Sequence, residues 1–532
     1  MDIIVGNENL RDLWNELSTS RGDHLFLAYE SCAGEVRTFT YGEFDRYINR
    51  VANYFAGLGV GKGDNVAVQL YNSPEHVAVC MALAKIGAVA VPINMQHKLE
   101  ECIFVYEKCG ISMVVTEPDC QCCYCEDAPC PQGTCAGAPC EGVRPYAMPH
   151  VLIAHGAGHA LCERVVDFDK AVAVCSDEPP APCDLDVRDT AMIIFTSGTT
   201  SCPKGVELTH GNMIYGGRYG VWQCGLTPDD RLLTTMPAFH SNFQTAALMP
   251  VLAAGATLVM LEKYSARRYW GQVRRWGATA LQLVAMMART LMMQPRVPGE
   301  RDHAVRSVQY YLPLSDEEKE AFEERFAVRL QNCYGSTESV CWVLTDTAAG
   351  ERRWPSVGRP GPSYEVAVLG EDGRPAPAGQ VGDLAVHGVP GISLMKGYYG
   401  DPAATAAAMT DDGWYFPGDK GRCDEDGWFY FVDRKSNMIK RAGENISASE
   451  VEDVLADHPC VAEAAVIGVP DPVRDMAVKA FVVLAPGTAA APEELAAHCA
   501  CHLADFKVPT IVELVDELPH TSVGKVAKKL LA

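Results

Sequence analysis

Apolar side chains at Phe44, Tyr47, Ile48, Val51, Phe55 and Leu58 recur at helical spacing, and glycines at 57, 59, 61 and 63 end the pattern. The spacing predicts an amphipathic helix there. A short apolar run at 66–70, a helical stretch at 74–86 and another apolar run at 88–91 together read as a βαβ unit. Strand-like runs return at 192–195, 232–235, 256–261 and 306–312, each separated by text of helical character, so a mostly parallel α/β body is expected. Beyond residue 352 the runs shorten and carry Gly and Pro punctuation, at 364–369, 384–388 and 428–432, as in a β-rich lobe closing that body. From residue 435 a separate alternation begins, helical at 451–456, extended at 464–469 and 480–484, and helical at 492–503. A small α/β domain is expected there. No repeat of fixed period is visible.

A chain of 532 residues with 48% apolar content suits two or more domains. Its net charge of -23 and pI near 5.0 oppose general attraction to nucleic acid or an anionic membrane, so a nucleotide has to be met by a local basic site. The first residues show no basic region leading into an apolar core, and no run of 18 apolar residues occurs; a cytoplasmic chain is expected, neither secreted nor membrane-spanning. Most cysteines are scattered singly through apolar or helical text and read as small buried thiols. Seven others crowd between Cys120 and Cys140, in a Gly/Pro-rich stretch with one C-x-x-C at Cys122 and Cys125. Metal-ligand spacing is present there, but no second C-x-x-C completes a four-ligand site, and an exposed loop is the competing interpretation.

Two glycine-containing segments fail as nucleotide motifs. The cluster at 57–63 follows a helix rather than a strand and lacks G-x-G-x-x-G spacing, while Gly524-Lys525 lacks the upstream glycine and the following hydroxyl of a Walker loop. A third fits better. Thr196-Ser197-Gly198-Thr199-Thr200-Ser201-Cys202-Pro203-Lys204-Gly205 directly follows the strand expected at 192–195 and carries five hydroxyls, two glycines and a lysine. Glycines let backbone N–H groups approach anionic oxygens, hydroxyls add donors, and Lys204 supplies a point charge, which suits a polyphosphate. A solvated Ser/Thr turn is the bland alternative.

That segment resembles the phosphate loop of the adenylate-forming superfamily, which includes acyl-CoA synthetases, adenylation domains and luciferases. Tyr334-Gly335-Ser336-Thr337-Glu338 is similar to the family's second nucleotide motif; the resemblance implies that Thr337 touches the α-phosphate and that Glu338, with Thr196, holds Mg²⁺. Gly413-Trp414-Tyr415-Phe416-Pro417-Gly418-Asp419 and Asp433-Arg434 look like the two ribose-clamping segments, with Asp419 accepting from both hydroxyls. Leu518-Pro519-His520-Thr521-Ser522-Val523-Gly524-Lys525 resembles the loop whose lysine bridges carboxylate and phosphate. Such a cation stabilises in-line attack of one anion on another. The segment from Lys435 to Gly443 matches the hinge, with Ser436 at a pivot where relatives often have Asp or Lys.

The resemblance therefore implies a large domain over 1–432 that binds ATP and the acyl group, a hinge at 433–437 and a mobile small domain over 438–532. In the family, the small domain rotates after adenylation, withdrawing the lysine equivalent to Lys525 and presenting Lys440 and Gly443 to the thiol. His240, in Met236-Pro237-Ala238-Phe239-His240, takes the place of an aromatic gate. Where relatives have Gly and Ala beside adenine, this chain has Tyr310-Tyr311-Leu312-Pro313-Leu314, so Tyr310 or Tyr311 is left to stack on the base.

Runs outside these motifs, Trp222-Gln223-Cys224, Glu262 to Arg267 with Trp270-Gly271-Gln272-Val273, and Arg352 to Ser356, resemble the crotonobetaine/carnitine-CoA ligase branch. This implies a small trimethylammonium acid as substrate and coenzyme A as acceptor. Aromatic faces hold such a cation, and Trp222, Phe243, Tyr311 and Trp342 are candidates, against ordinary core packing. A ligase for another short or medium acid, loading of a carrier protein, a luciferase-like oxygenase and a catalytically silent scaffold are the competing functions. Lys525, Glu338, Asp419 and Arg434 all being present speaks against the last, and a homodimer is left open.

Overall fold

The computed structural model describes residues 3, 5–125, 145–157, 161–196, 203–311, 314–434, 438–519, 526 and 528–531, with the side chains of 433, 434 and 529 excepted. Helix Pro74–Ile86 shows how the body is assembled. Ser73 caps it, its hydroxyl accepting from the His76 backbone N–H at 3.2 Å, Pro74 opens it, and Gly87 ends it. Every residue of this helix is buried, which is why its text has no polar face. It joins strands Asn65–Gln69 and Val89–Pro92, which pair in parallel and so form the βαβ unit read from the sequence.

Alternate side chains of those strands serve different cores. Val66, Val68 and Ala90 enter the large inner cluster, whereas Ala67, Val89 and Val91 face a second cluster containing Cys102, Cys109, Cys120, Cys122 and Cys123. The strands belong to an eight-stranded sheet that continues through Thr190–Thr196 and Lys204–Thr209. A nine-stranded sheet, parallel through its centre from Leu25–Glu30 to Leu330–Tyr334, packs on the opposite side of the inner core. Helix Tyr41–Gly57 lies at the same core with Phe44, Ile48, Val51 and Phe55 inward, on the face that the helical spacing predicts.

Glu365–Leu369, Gly382–His387, Trp414–Tyr415, Asp419–Cys423 and Phe429–Arg434 form an antiparallel five-stranded sheet, the β-rich lobe. A further sheet, with its own apolar cluster, is built from Met438–Arg441, Glu444–Ser447, Val461–Asp471, Asp475–Leu484 and Ile511–Leu514, with helices Ala448–Ala456 and Pro492–His502 against it. The long pair Val461–Asp471 and Asp475–Leu484 extends well past the expected runs, because cross-strand pairing continues through Pro470 and Asp471. Among the described residues, no helix is long and apolar enough to cross a membrane.

The expectation of singly buried thiols does not hold throughout: Cys32 is exposed, and Cys175, Cys183, Cys423, Cys460 and Cys501 are half-buried. Cys125 is joined to Cys162 rather than standing as a thiol. Cys120, Cys122 and Cys123 are buried, and no group of ligands able to hold a metal ion occurs among the described residues. Cys130, Cys135 and Cys140 lie outside them.

Candidate active site

A cavity of about 780 Å³ opens where the two large sheets, the β-rich lobe and the C-terminal sheet converge. Strand Thr190–Thr196 ends at its wall and returns antiparallel as Lys204–Thr209, with Thr196 opposite Lys204 in the ladder. The mouth of this hairpin thus brings the two ends of the expected phosphate loop together. Ser197, Gly198, Thr199 and Thr200 lie outside the described residues.

Thr196 Oγ1 donates to Glu338 Oε1 at 3.5 Å, and the Tyr398 hydroxyl donates to the same oxygen at 3.0 Å. The Lys204 ammonium stands 4.9 Å from the centre of the Tyr398 ring. Burial, then the Glu338 charge, raises the Tyr398 phenol and keeps it a donor. Carboxylate and hydroxyl oxygens from Glu338 and Thr196 are the donor chemistry a hard cation such as Mg²⁺ takes. Glu338 follows Gly335, whose missing Cβ would sit 2.3 Å from the carbonyl oxygen of Cys341, so a side chain there would block the turn. Thr337 is buried and its Oγ1 is 3.0 Å from Ser241 Oγ. Tyr334 donates its hydroxyl to Asp419 Oδ2 at 2.6 Å, and Asp419, only 1% exposed, pairs with Arg434 in the ladder of the β-rich lobe.

His240 caps the short helix Ser241–Phe243, its Nδ1 accepting from the Asn242 N–H at 3.2 Å. Desolvation pushes its ionisation down to about 4, so the ring facing the cavity is neutral near pH 7. The helix continues through a π-turn at Gln244–Leu248, which carries Thr245 and Ala246 at the cavity wall. Farther along the wall, Tyr311 and Trp342 stack with centroids 4.6 Å apart. Tyr310 does not reach this wall: it is wholly buried, 6.3 Å from the Trp354 ring, because successive strand residues face opposite sides. Trp222 packs against Tyr219 and Phe243 is in the core, so neither of these aromatic candidates lines the cavity.

The C-terminal sheet supplies the remaining side. Strands Met438–Arg441 and Glu444–Ser447 form a hairpin whose two turn residues, Ala442 at φ 52° and Gly443 at φ 97°, both lie in the left-handed region. The turn places Lys440, Gly443 and Glu444 at the cavity, with Lys440 5.0 Å from the Phe431 ring. Burial pushes the Glu444 carboxyl up to about 7, against the opposing charge of Lys507. Lys525 and the hinge residues 435–437 lie outside the described residues. Sequence reasoning did not single out Tyr398, Ser241 or Lys507, since each meets its partner through long-range packing that no local spacing signals.

A strand hairpin with a hydroxyl and a lysine at its mouth, the Glu338 and Asp419 carboxylates and a second sheet roofing the cavity agree with an adenylate-forming enzyme. The chain belongs to the AMP-binding enzyme family, whose pattern matches residues 16–399, with the AMP-binding enzyme C-terminal domain matching 450–525. It is an AMP-forming acyl-CoA synthetase, which uses ATP and coenzyme A. Crotonobetaine/carnitine–CoA ligases of Salmonella paratyphi C (strain RKS4594) and Salmonella typhimurium are each 43% identical to it over 528 residues, 99% of both chains. Among solved structures, o-succinylbenzoate CoA synthetase from Bacillus subtilis matches with a TM-score of 0.82 at 26% identity, covering 99% of this chain and 98% of that one. An acyl-CoA synthetase of Brucella canis matches with a TM-score of 0.70 at 28% identity, covering 99% and 94%.

Proposed function

We propose that the chain activates a betaine-type acid, such as crotonobetaine, carnitine or γ-butyrobetaine, as its acyl-adenylate and then transfers the acyl group to coenzyme A. The observation that carries the substrate class is the stacked Tyr311–Trp342 pair in the wall of the cavity that also includes Thr337, Glu338 and Asp419. Whole-chain similarity to crotonobetaine/carnitine–CoA ligases supports the same assignment. Each good aromatic face contributes about 0.5–2 kcal/mol to holding a quaternary ammonium. A neutral His240 adds no repulsion to that cation.

In the first half-reaction a substrate carboxylate oxygen attacks the α-phosphorus of ATP, and the bond from that phosphorus to pyrophosphate breaks. Thr196, Ser197, Gly198, Thr199, Thr200 and Lys204 bind the phosphate oxygens, and Thr337 donates to the α-phosphate. Asp419, oriented by the Tyr334 hydroxyl, accepts from the ribose together with a contact from Arg434. The role assigned to Lys525 is to offset the charge of the two reacting anions, since a cation there favours the transition state over the ground state. Glu338 and Thr196 would hold Mg²⁺, which withdraws charge from the phosphate oxygens when bound.

In the second half-reaction the sulfur of coenzyme A attacks the acyl carbon and the bond to AMP oxygen breaks. Lys440 and Gly443 border the thiol path, and His240 gates it with a ring that can accept a hydrogen bond. We assign 1–432 to the large domain, 433–437 to the hinge and 438–532 to the mobile small domain, with the reaction in the cytoplasm, where ATP and coenzyme A are supplied. ATP–pyrophosphate exchange across a panel of acids, followed by a thioester assay on those that respond, tests the proposal. Exchange with betaines and thioester formation are expected; exchange confined to uncharged acids would sink the substrate class.

A further inference from the structure

Lys507 is a buried cation held between two carboxylates of different parts of the chain. Its ammonium lies 2.6 Å from Glu101 Oε1 and 2.7 Å from Glu450 Oε1, and the Lys507 and Glu101 side chains are 6% and 9% exposed. Glu101 belongs to the main body: its other oxygen accepts from the Lys98 N–H at 2.8 Å and caps helix Leu99–Cys109. Glu450 lies in the first turn of helix Ala448–Ala456, against the C-terminal sheet. Burial works against the charge of Lys507, and the two carboxylates overcome it, holding its ionisation above the ordinary lysine range.

This contact is wired to the hairpin at the cavity. The Arg441 guanidinium donates to the carbonyl of Phe506 at 2.7 Å, which ties the Lys440–Gly443 turn to the Phe506–Lys507 turn. Around them lie the pairs Lys98–Asp505 at 3.4 Å and His502–Glu100 at 2.9 Å, with partners much more exposed. On the far side Arg289 reaches Asp475 at 2.7 Å. Without Lys507, the Glu101 and Glu450 carboxylates would confront each other across a largely dry contact, and that repulsion is relieved when one of them takes up a proton or when the C-terminal sheet swings away.

We infer that Lys507 is a positioning residue for thioester formation: by bridging Glu101 and Glu450 it holds the C-terminal sheet in the orientation that brings Lys440 and Gly443 to the cavity. This rests on the proposed two-step ligase reaction. Adenylation uses the other orientation and does not require the bridge, so losing it shifts the population away from one arrangement without altering the chemistry of the other.

The test measures both half-reactions in full-length Lys507→Met, using pyrophosphate exchange for the first and coenzyme A thioester formation from supplied acyl-adenylate for the second. Exchange should stay within about twofold of the parent, while thioester formation falls on the order of tenfold or more. Lys507→Arg, which keeps the charge, and the swap Glu101→Lys with Lys507→Glu should each recover most of the lost rate. Hydrogen exchange should rise at 98–103 and 503–508 in Lys507→Met and return toward the parent level in the swap. An equal fall of both half-reactions without recovery in the swap, or an unchanged thioester rate, would overturn the inference. A parent protein that makes no thioester from any adenylate would instead remove the ligase proposal beneath it.

Discussion

Two cations in this protein, half-buried His155 and buried Lys507, have the same local chemistry and opposite mechanical settings. His155 sits between Glu117, 2.9 Å from its Nδ1, and Glu75, 2.8 Å from its Nε2; Lys507 sits between Glu101 and Glu450. All the partners of His155 belong to the N-terminal body. Arg37 and Tyr47 also reach Glu75, and the His155 N–H donates to Asp169 at 2.8 Å. With both ring nitrogens donating to carboxylates, the imidazole is a cation. Burial opposes that charge, the carboxylates outweigh burial, and its ionisation is pushed up to about 10. The His155 network is locked because none of its elements can part without unfolding. The Lys507 network joins the main body to the C-terminal sheet, so the proposed rotation of the small domain would return its charges to water.

The largest expected contrast is in stability. His155→Leu takes the cation from Glu117 and one of two cations from Glu75, which keeps Arg37, and with the ring partly open to solvent it should cost about 2–3 kcal/mol in urea unfolding, with both half-reactions declining in parallel. A cost no greater than that of Lys507→Met would erase the distinction between the two networks. Next comes the mirror image of Lys507→Met: Lys525→Ala should lower pyrophosphate exchange about 10²–10³-fold and leave thioester formation from supplied adenylate near the parent rate. If both half-reactions collapsed together, the division of labour between the two lysines would be lost.

A smaller effect concerns the aromatic wall of the cavity. Trp342→Leu should weaken γ-butyrobetaine by about 0.5–2 kcal/mol while changing little for its carbon isostere 5,5-dimethylhexanoate, read as relative kcat/KM in the exchange assay. Equal losses for the two acids would assign Trp342 to packing alone. The smallest contrast is the response to pH. The folded pKa of His155 is raised from an ordinary 6.5 to about 10, so its contribution is fully present below pH 6.5 and is lost as pH rises toward 10. Unfolding of the parent and of Lys507→Met should share this alkaline slope, and the change of Lys507→Met in stability at neutral pH should be under about 1 kcal/mol, since its carboxylates can rehydrate.

Much of this architecture is legible because it is periodic. The spacing from Phe44 to Phe55 fixes one inward helix face, and the apolar runs around Val66 and Val91 fit a pair of parallel strands. Legibility fails where the relevant distance is long-range. Tyr310 and Tyr311 are indistinguishable as text, yet strand alternation sends Tyr311 to the cavity and Tyr310 beneath Trp354. Of four aromatic candidates, only Tyr311 and Trp342 line the cavity, since their strands and turns converge there while Trp222 is held against Tyr219.

By itself the sequence determined the α/β alternation, the hydroxyl-rich segment from Thr196 to Lys204 following a strand, and the need for a local basic site in an acidic chain. These follow from side-chain period and from chemistry carried by neighbouring residues. Only the tertiary structure decided that Tyr398 joins Lys204 to Glu338, that Tyr334 orients Asp419, and that Lys507 ties Glu101 to Glu450. Each of those contacts closes a separation in sequence too long for local spacing to encode, and each depends on which faces of separate sheets are packed together.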